Sequence, residues 1–107
     1  MKGYQLTFFT QEDRFHKSTQ LSEWLLLAAR NLGLRGATIV SGSKGYGQHR
    51  HIHYARFFEL LSDHPQEIVM VVSEEEANLL FDHLQKEGVH LFYVKTPVEF
   101  GMLGKPI

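Results

Sequence analysis

The chain contains no cysteine, which excludes disulfides, thiolate zinc sites and cysteine nucleophiles together. It lacks a charge excess: the formal net charge is −1, so neither a disordered segment nor a strongly cationic nucleic-acid binder is indicated. It has no apolar run long enough to span a membrane, and "MKGYQLTFFTQEDR" meets polar residues too early for a signal peptide. Membrane insertion is therefore not expected, and a soluble cytoplasmic protein is. No serine sits in a Gly-x-Ser-x-Gly turn, and Asp13, Asp63 and Asp82 show no paired-carboxylate spacing. Nothing in the residues supports an enzyme.

What is present fits one domain of 107 residues, large enough for a single two-layer core. "YQLTFFT" sets Leu6 and Phe8 against Gln5 and Thr7 and reads as a strand. "STQLSEWLLLAARNLG" changes period: Leu21, Trp24, Leu25, Ala28 and Leu32 fall on one helical face, with Ser18 or Thr19 as cap and Gly33 as stop. "GATIVSGS" returns to strand chemistry around Thr38, Ile39 and Val40. "HYARFFELL" reads as a further strand or a short helix, and "SDHP" as a turn. The apolar run "EIVMVV" has the character of a central strand buried on both faces. A helix follows in "SEEEANLLFDHLQKEG", with Ser73 and Glu76 as a capping box, Ala77, Leu80, Phe81 and Leu84 as its buried stripe, and Gly88 as its end. "VHLFYVKTP" is the last strand, stopped near Pro97, and the tail 97–107 has no clear period.

Strand, helix, strand, long excursion, strand, helix, strand is the order of an α+β, ferredoxin-like βαββαβ sandwich. Both helices then lie on one face of an antiparallel sheet, with a long loop or hairpin after the second strand. Tyr4, Phe8, Phe9, Phe92 and Tyr93 are more aromatics than two helices cover. Some stay exposed, and contiguous exposed apolar surface marks association.

The excursion opens with "GSKGYGQHRHIHYAR". His49, His51 and His53 have period two, so in an extended strand their imidazoles share one face at roughly 6.5–7 Å spacing. That spacing lets them converge on a divalent metal. The blander reading, a polar hairpin rich in histidine, is favoured because no carboxylate or cysteine nearby completes a coordination shell. Gly45 and Gly47 permit close backbone approach to an anion, Lys44 adds a charge, and Tyr46 suits a base stack or a subunit contact. A plain hairpin bend explains the same glycines. Arg14 and Arg56 are candidate phosphate contacts, although each alone reads as a solvated charge. Trp24 reads as core, and His16, His64, His83 and His90 as surface or packing residues.

Taken together, residues 36–38 (Gly-Ala-Thr), 44–47 (Lys-Gly-Tyr-Gly), 52–56 (Ile-His-Tyr-Ala-Arg) and His64-Pro65 before the apolar strand 68–72 resemble the PII-like signalling proteins. Their small bacterial and archaeal branch is the nearest likeness, also through Glu12, Arg14 and His16, and the similarity runs over roughly residues 4–97. The resemblance implies a homotrimer without catalysis or a required cofactor. Its ligand would be an adenine nucleotide held in clefts between subunits. A flexible arm, here about residues 42–64, would engage a transporter or an enzyme. Carried over, the nucleotide-binding residues are Arg14, Thr38, Lys44, Gly45, Tyr46, Gly47, His53 and Arg56. Two departures point away from a wrapped triphosphate. "QKEGVHLFY" has one glycine where typical members have a glycine- and lysine-rich loop, and only Lys95 and Lys105 stand where a basic C-terminal segment is expected. A smaller ligand such as AMP or a cyclic nucleotide, or none, fits better. The alternative is a metal-binding trimer resembling the cation-tolerance CutA proteins, using His49, His51 and His53.

Overall fold

Alternation of apolar and polar residues in the first segment produces β1 (Lys2–Gln11), the strand around which the rest is arranged. The computed structural model describes residues 1–46 and 64–106, and the backbone of 52–54. After β1 come β2 (Phe15–His16), β3 (Thr19–Gln20), α1 (Leu21–Asn31), β4 (Thr38–Ser41), β5 (Lys44–Tyr46) and β6 (Ile52–Tyr54). The chain continues through β7 (Pro65–Val72), α2 (Glu74–Lys86) and β8 (Phe92–Glu99). One four-stranded sheet has the order β4-β7-β1-β8, and every neighbouring pair in it is antiparallel. Counting only these long strands, the order is second, third, first, fourth, which is the ferredoxin-like α+β arrangement expected.

The core lies between this sheet and the helices. Leu6, Phe8, Ile68, Met70 and Val72 point from β1 and β7 into Leu25 and Ala29 of α1 and Ala77, Leu80 and Leu84 of α2. Each fully buried large side chain of this kind contributes about 1.5–3 kcal/mol. Trp24, Leu32 and Phe81 pack at the margin of the core and are partly buried. In β7 the burial alternates, with Val69 and Val71 half-buried and Glu67 exposed. β7 is central in order, but only its helix side is closed within one chain, so burial on both faces is not met there.

Both helix ends follow the expected chemistry at three of four points. Ser73 Oγ accepts from the Glu76 amide while the Glu76 carboxylate accepts from the Ser73 amide, closing the capping box on α2. Gly33 and Gly88 take the left-handed conformation that ends a helix, at φ 78° and 69°. The exception is the start of α1, whose cap position is Gln20, without a side-chain cap bond. Ser18 and Thr19 do not cap, because they are taken up by a small hairpin: β2 pairs with β3 through Lys17 and Ser18, at φ 50° and 67°. Gln20 turns away from the helix and donates to the Glu12 carbonyl at 3.0 Å.

β8 runs through Pro97 instead of stopping there. It is an edge strand, where a missing N–H can face outward without breaking the ladder. The tail is anchored at its root: the Met1 ammonium donates to the Phe100 carbonyl at 2.9 Å, and the Phe100 amide donates to the Met1 carbonyl at 2.8 Å. A Cβ at Gly3 would run into the Val72 carbonyl and the Phe100 ring, so this position admits only glycine. Among the described residues, no helix is long and apolar enough to cross a membrane.

Candidate functional site at the root of the arm

β1 ends, β4 ends and β7 begins at the same edge of the sheet, and the excursion leaves and returns there. Its entry is fixed by the Gly42 amide, which donates to the Pro65 carbonyl at 2.7 Å. A Cβ at Gly42 would lie 3.1 Å from Pro65 Cγ, so the close approach depends on glycine. Its return is fixed by Glu12: the Glu12 amide donates to the His64 carbonyl at 3.0 Å, and Glu12 Oε1 lies 3.0 Å from His64 Nδ1. Both ends of the arm are thus fastened at the adjoining residues His64 and Pro65.

Above this root β5 and β6 form the expected hairpin, with Lys44 opposite Tyr54, Gly45 opposite His53 and Tyr46 opposite Ile52. Gly45 sits over Pro65, at ordinary van der Waals distance for an added Cβ. Tyr46 is 72 % exposed, an aromatic ring offered to solvent beside the lysine. Lys44, Gly45, Tyr46 and the backbone of His53 are therefore brought together. Arg14 emerges at the same edge, but its Nη2 donates to the His90 carbonyl at 2.6 Å, across the turn between α2 and β8. Thr38 stands apart: it is exposed at the start of the edge strand β4, where it pairs with Val69 of β7. Gly47, His49, His51 and Arg56 lie outside the described residues, as does the side chain of His53. The metal reading of the histidine run falls there too, and among the described residues no group of three or more His, Asp or Glu is placed to hold a metal ion.

Four residues at this root were not among those the sequence singled out for the site. Glu12 and His64 tie the arm, and Thr10 and Gln66 face one another across the β1–β7 pair. Thr10 Oγ1 and Gln66 Oε1 are buried and have no protein partner among the described residues. Glu12 and His64 were legible only through the resemblance, in "TQEDRFH" and His64-Pro65; Thr10 and Gln66 carry no local signal, because a strand register decides that they meet.

Two carboxylates near the helix ends are shifted. At Glu76 burial pushes the carboxyl upward, yet the Ser73 amide and hydroxyl and the Arg35 guanidinium together hold it below the usual range. At Glu87, which closes α2, hydrogen bonds from Lys17 and then His16 hold the carboxyl down.

Solved structures that share this fold are described as PII-like signalling proteins. A structure described as a PII-like signalling protein from Thermus thermophilus superposes with a TM-score of 0.64 at 19 % identity, covering 92 % of this chain and 88 % of its own. CPII from Thiomonas intermedia, described as a nitrogen regulatory PII-like protein bound to ADP, AMP and bicarbonate, gives 0.66 at 22 % identity, covering 95 % and 91 %. The family described as DUF190, uncharacterized ACR, matches residues 3–99. A UPF0166 protein of Aquifex aeolicus is 35 % identical over 76 residues, 71 % of either chain. The chain belongs to the DUF190 family, and its fold is that of the PII-like proteins.

Proposed function

We propose that this protein is a non-catalytic, PII-like regulator that binds a small adenine nucleotide at the root of its arm and acts on a partner protein through residues 42–64. The observation that carries the reading is the hairpin root. Lys44, Gly45 and Tyr46 supply a charge, an open backbone and an exposed ring within three residues, at the end of the sheet where Arg14 also emerges. A phosphate needs the first two and a base stacks on the third. CPII, with the same fold, is described as bound to ADP and AMP, which supports an adenine nucleotide as the ligand class. Gly47, His53 and Arg56 complete the proposed set, and Thr38, on the outer part of the sheet, joins it only across a subunit boundary.

The assembly is a homotrimer, the number the PII-like resemblance implies. The sheet face away from the helices carries Val40, Phe92 and Val94, all exposed, beside the half-buried Phe9, Val69 and Val71. Burying about 1,000 Å² of such apolar surface contributes on the order of 25 kcal/mol before association costs. Calorimetric titration with AMP, ADP, ATP and cyclic AMP, alongside light scattering, tests the reading. Heat from AMP or ADP and the mass of three chains are expected. A monomer at micromolar concentration, or no heat from any nucleotide up to the millimolar range, overturns the corresponding half.

A further inference from the structure

Trp24 is the only tryptophan of the chain, and it lies between two imidazoles. The His16 ring meets its edge at 4.5 Å, and the His83 ring stacks on it at 5.7 Å with planes 10° apart. His16 comes from β2, Trp24 from α1 and His83 from α2, so one indole joins the small hairpin to both helices. Next to this stack, His16 Nε2 and Lys17 Nζ converge on the same oxygen, Glu87 Oε1, at 3.1 and 2.8 Å. The hairpin's turn is made of Lys17 and Ser18 in the left-handed region, a conformation that residues bearing a Cβ avoid. Such a turn is held from outside, and the contacts to Glu87 are in place to hold it.

We propose that the hairpin β2–β3 is a proton-responsive latch on the C-terminal end of α2, closed while protonated His16 faces the Glu87 carboxylate and loosened when either group loses its charge.

Every charged group around His16 bears on the sign. Glu87 and the carbonyl end of α2 favour the imidazolium. Lys17 opposes it, because it is a like charge on the same oxygen, and a protonated His83 across the indole opposes it as well. With His16 neutral, its ring offers Glu87 at most an uncharged hydrogen bond, and of the two groups on that oxygen only Lys17, whose side chain is 67 % exposed, remains a cation. On the acid side the carboxyl itself is lost. Lys17 and His16 hold Glu87 below its usual value, so its contribution is present above that usual value and disappears as pH falls through the lower one. The latch is tightest while His16 and Glu87 are both charged and loosens when either becomes neutral.

The hairpin has two further attachments. Arg14, one residue before β2, is held on the His90 carbonyl. Gln20, at the end of β3, donates to the carbonyl of Glu12, whose amide in turn holds the His64 carbonyl at the arm's return. Loosening the latch therefore releases Arg14 toward the arm root. This consequence rests on the nucleotide reading, whereas the latch itself does not.

Trp24 fluorescence reads the latch directly in the intact protein, since no other tryptophan contributes. In a His83→Gln background, which removes the other imidazole on the indole, titration from pH 4 to 9 is expected to show a transition that is lost when His16→Gln is added. In Glu87→Gln it shifts to lower pH, because the favouring carboxylate is gone. In Lys17→Ala it shifts to higher pH, because the competing cation is gone. A merely structural hairpin would not move the midpoint in opposite directions. Amide exchange of residues 15–20, corrected for intrinsic rates, should be faster at pH 8.5 than at pH 6 by up to about five-fold, the range of a part-exposed ion pair. A flat titration, a transition that survives His16→Gln unchanged, or shifts of the same sign in the two other variants overturns the latch. Circular dichroism of each variant excludes unfolding as the cause. Calorimetry with AMP at pH 6 and 8 tests the consequence: tighter binding at pH 8 supports release of Arg14, and equal affinity overturns it. Absence of heat at both pH values sinks the nucleotide reading and leaves the latch to be judged by fluorescence and exchange alone.

Discussion

On the helix side of the sheet, Leu6, Phe8, Ile68, Met70 and Val72 are all at or below 2 % exposed. On the other side, neighbouring positions of the same sheet leave Phe92 71 % and Val94 44 % exposed. The register makes the contrast sharp, because Phe8 lies opposite Tyr93 while its neighbour Phe9 lies opposite Phe92, one pair on each face. Two helices suffice for β1 and β7 but not for the edge: α2 packs on β1 and β7, and β8 is exposed at nearly every position. Residue type alone does not decide burial here; which strand and which face carry the residue does. The aromatic and β-branched residues of the open side form the exposed apolar surface on which the proposed trimer rests.

The largest effect expected from breaking this contrast is on the covered side. Phe8→Ala removes a ring packed against Phe81 and Tyr93, with centroids at 6.0 and 6.3 Å, and should cost about 3–5 kcal/mol. The equivalent change on the open side, Phe92→Ala, removes a ring whose aromatic partner among the described residues is Phe9 at 5.6 Å. Its cost to the fold of a single chain should stay below about 1 kcal/mol. Urea unfolding of both variants, measured over a range of protein concentrations, checks the pair. Equal losses that do not depend on concentration would erase the distinction between the faces.

A charge on the open face gives the second test. Phe92→Glu leaves the helix-side core untouched, but in a trimer that buries this face the carboxylate loses its water. An unpaired buried charge costs several kcal/mol, which corresponds to at least about a hundred-fold weaker association. Light scattering should show single chains while circular dichroism stays native. An unchanged mass would mean that the uncovered face is not the subunit interface.

Much of the covered side was legible in the residues, because it depends on local periods and caps. The spacing of Leu21, Leu25 and Ala28, the Ser73–Glu76 box and the glycine stops at Gly33 and Gly88 are all written within one or two helical turns. What escaped depends on partners distant in sequence. Ser18 and Thr19 have the chemistry of a helix cap, yet they lie in the β2–β3 hairpin, whose Lys17 meets Glu87, a residue distant in sequence. Pro97 has the look of a strand end, but an edge position tolerates it. At the arm root, Lys44, Gly45 and Tyr46 could be singled out from their own pattern, whereas Glu12 and His64 become neighbours only once β1 and β7 are in register.

The two helix starts offer a third and smaller test, since α2 has a full capping box and α1 has none. Ser73→Ala should cost about 1 kcal/mol, and Gln20→Ala less as far as the helix start is concerned. The same box sets a pH dependence. Burial raises the Glu76 carboxyl but the Ser73 and Arg35 hydrogen bonds lower it further, leaving it below its usual value. A depressed carboxyl stabilises the fold fully above its unfolded value, near pH 4.5, and that contribution is lost as pH falls through the lower folded value. Glu76→Gln should therefore reduce the difference in urea midpoint between pH 7 and pH 3. An undiminished difference would place the acid sensitivity elsewhere.

The smallest effect on stability, and the most informative about the arm, comes from comparing its two glycines. Gly42 and Gly45 both lie against Pro65, but a Cβ at Gly42 would stand 3.1 Å from the ring and one at Gly45 no closer than 3.5 Å. Neither is among the glycines with positive φ, so space and not backbone strain separates them. Gly42→Ala requires the Pro65 ring to give by a few tenths of an ångström beside the 2.7 Å bond between the Gly42 amide and the Pro65 carbonyl, and should cost about 1 kcal/mol. Gly45→Ala fits ordinary contact and should stay within about 0.5 kcal/mol of the parent. If Gly45 is bare because a phosphate approaches its backbone, the order reverses in binding. Gly45→Ala should then lose AMP affinity by about ten-fold or more, which a methyl group between amide and phosphate readily produces, while Gly42→Ala loses less. Thermal unfolding and calorimetry on the same two variants give both orders. Unchanged AMP affinity in Gly45→Ala would reduce the glycine to a hairpin bend and move the ligand away from this turn.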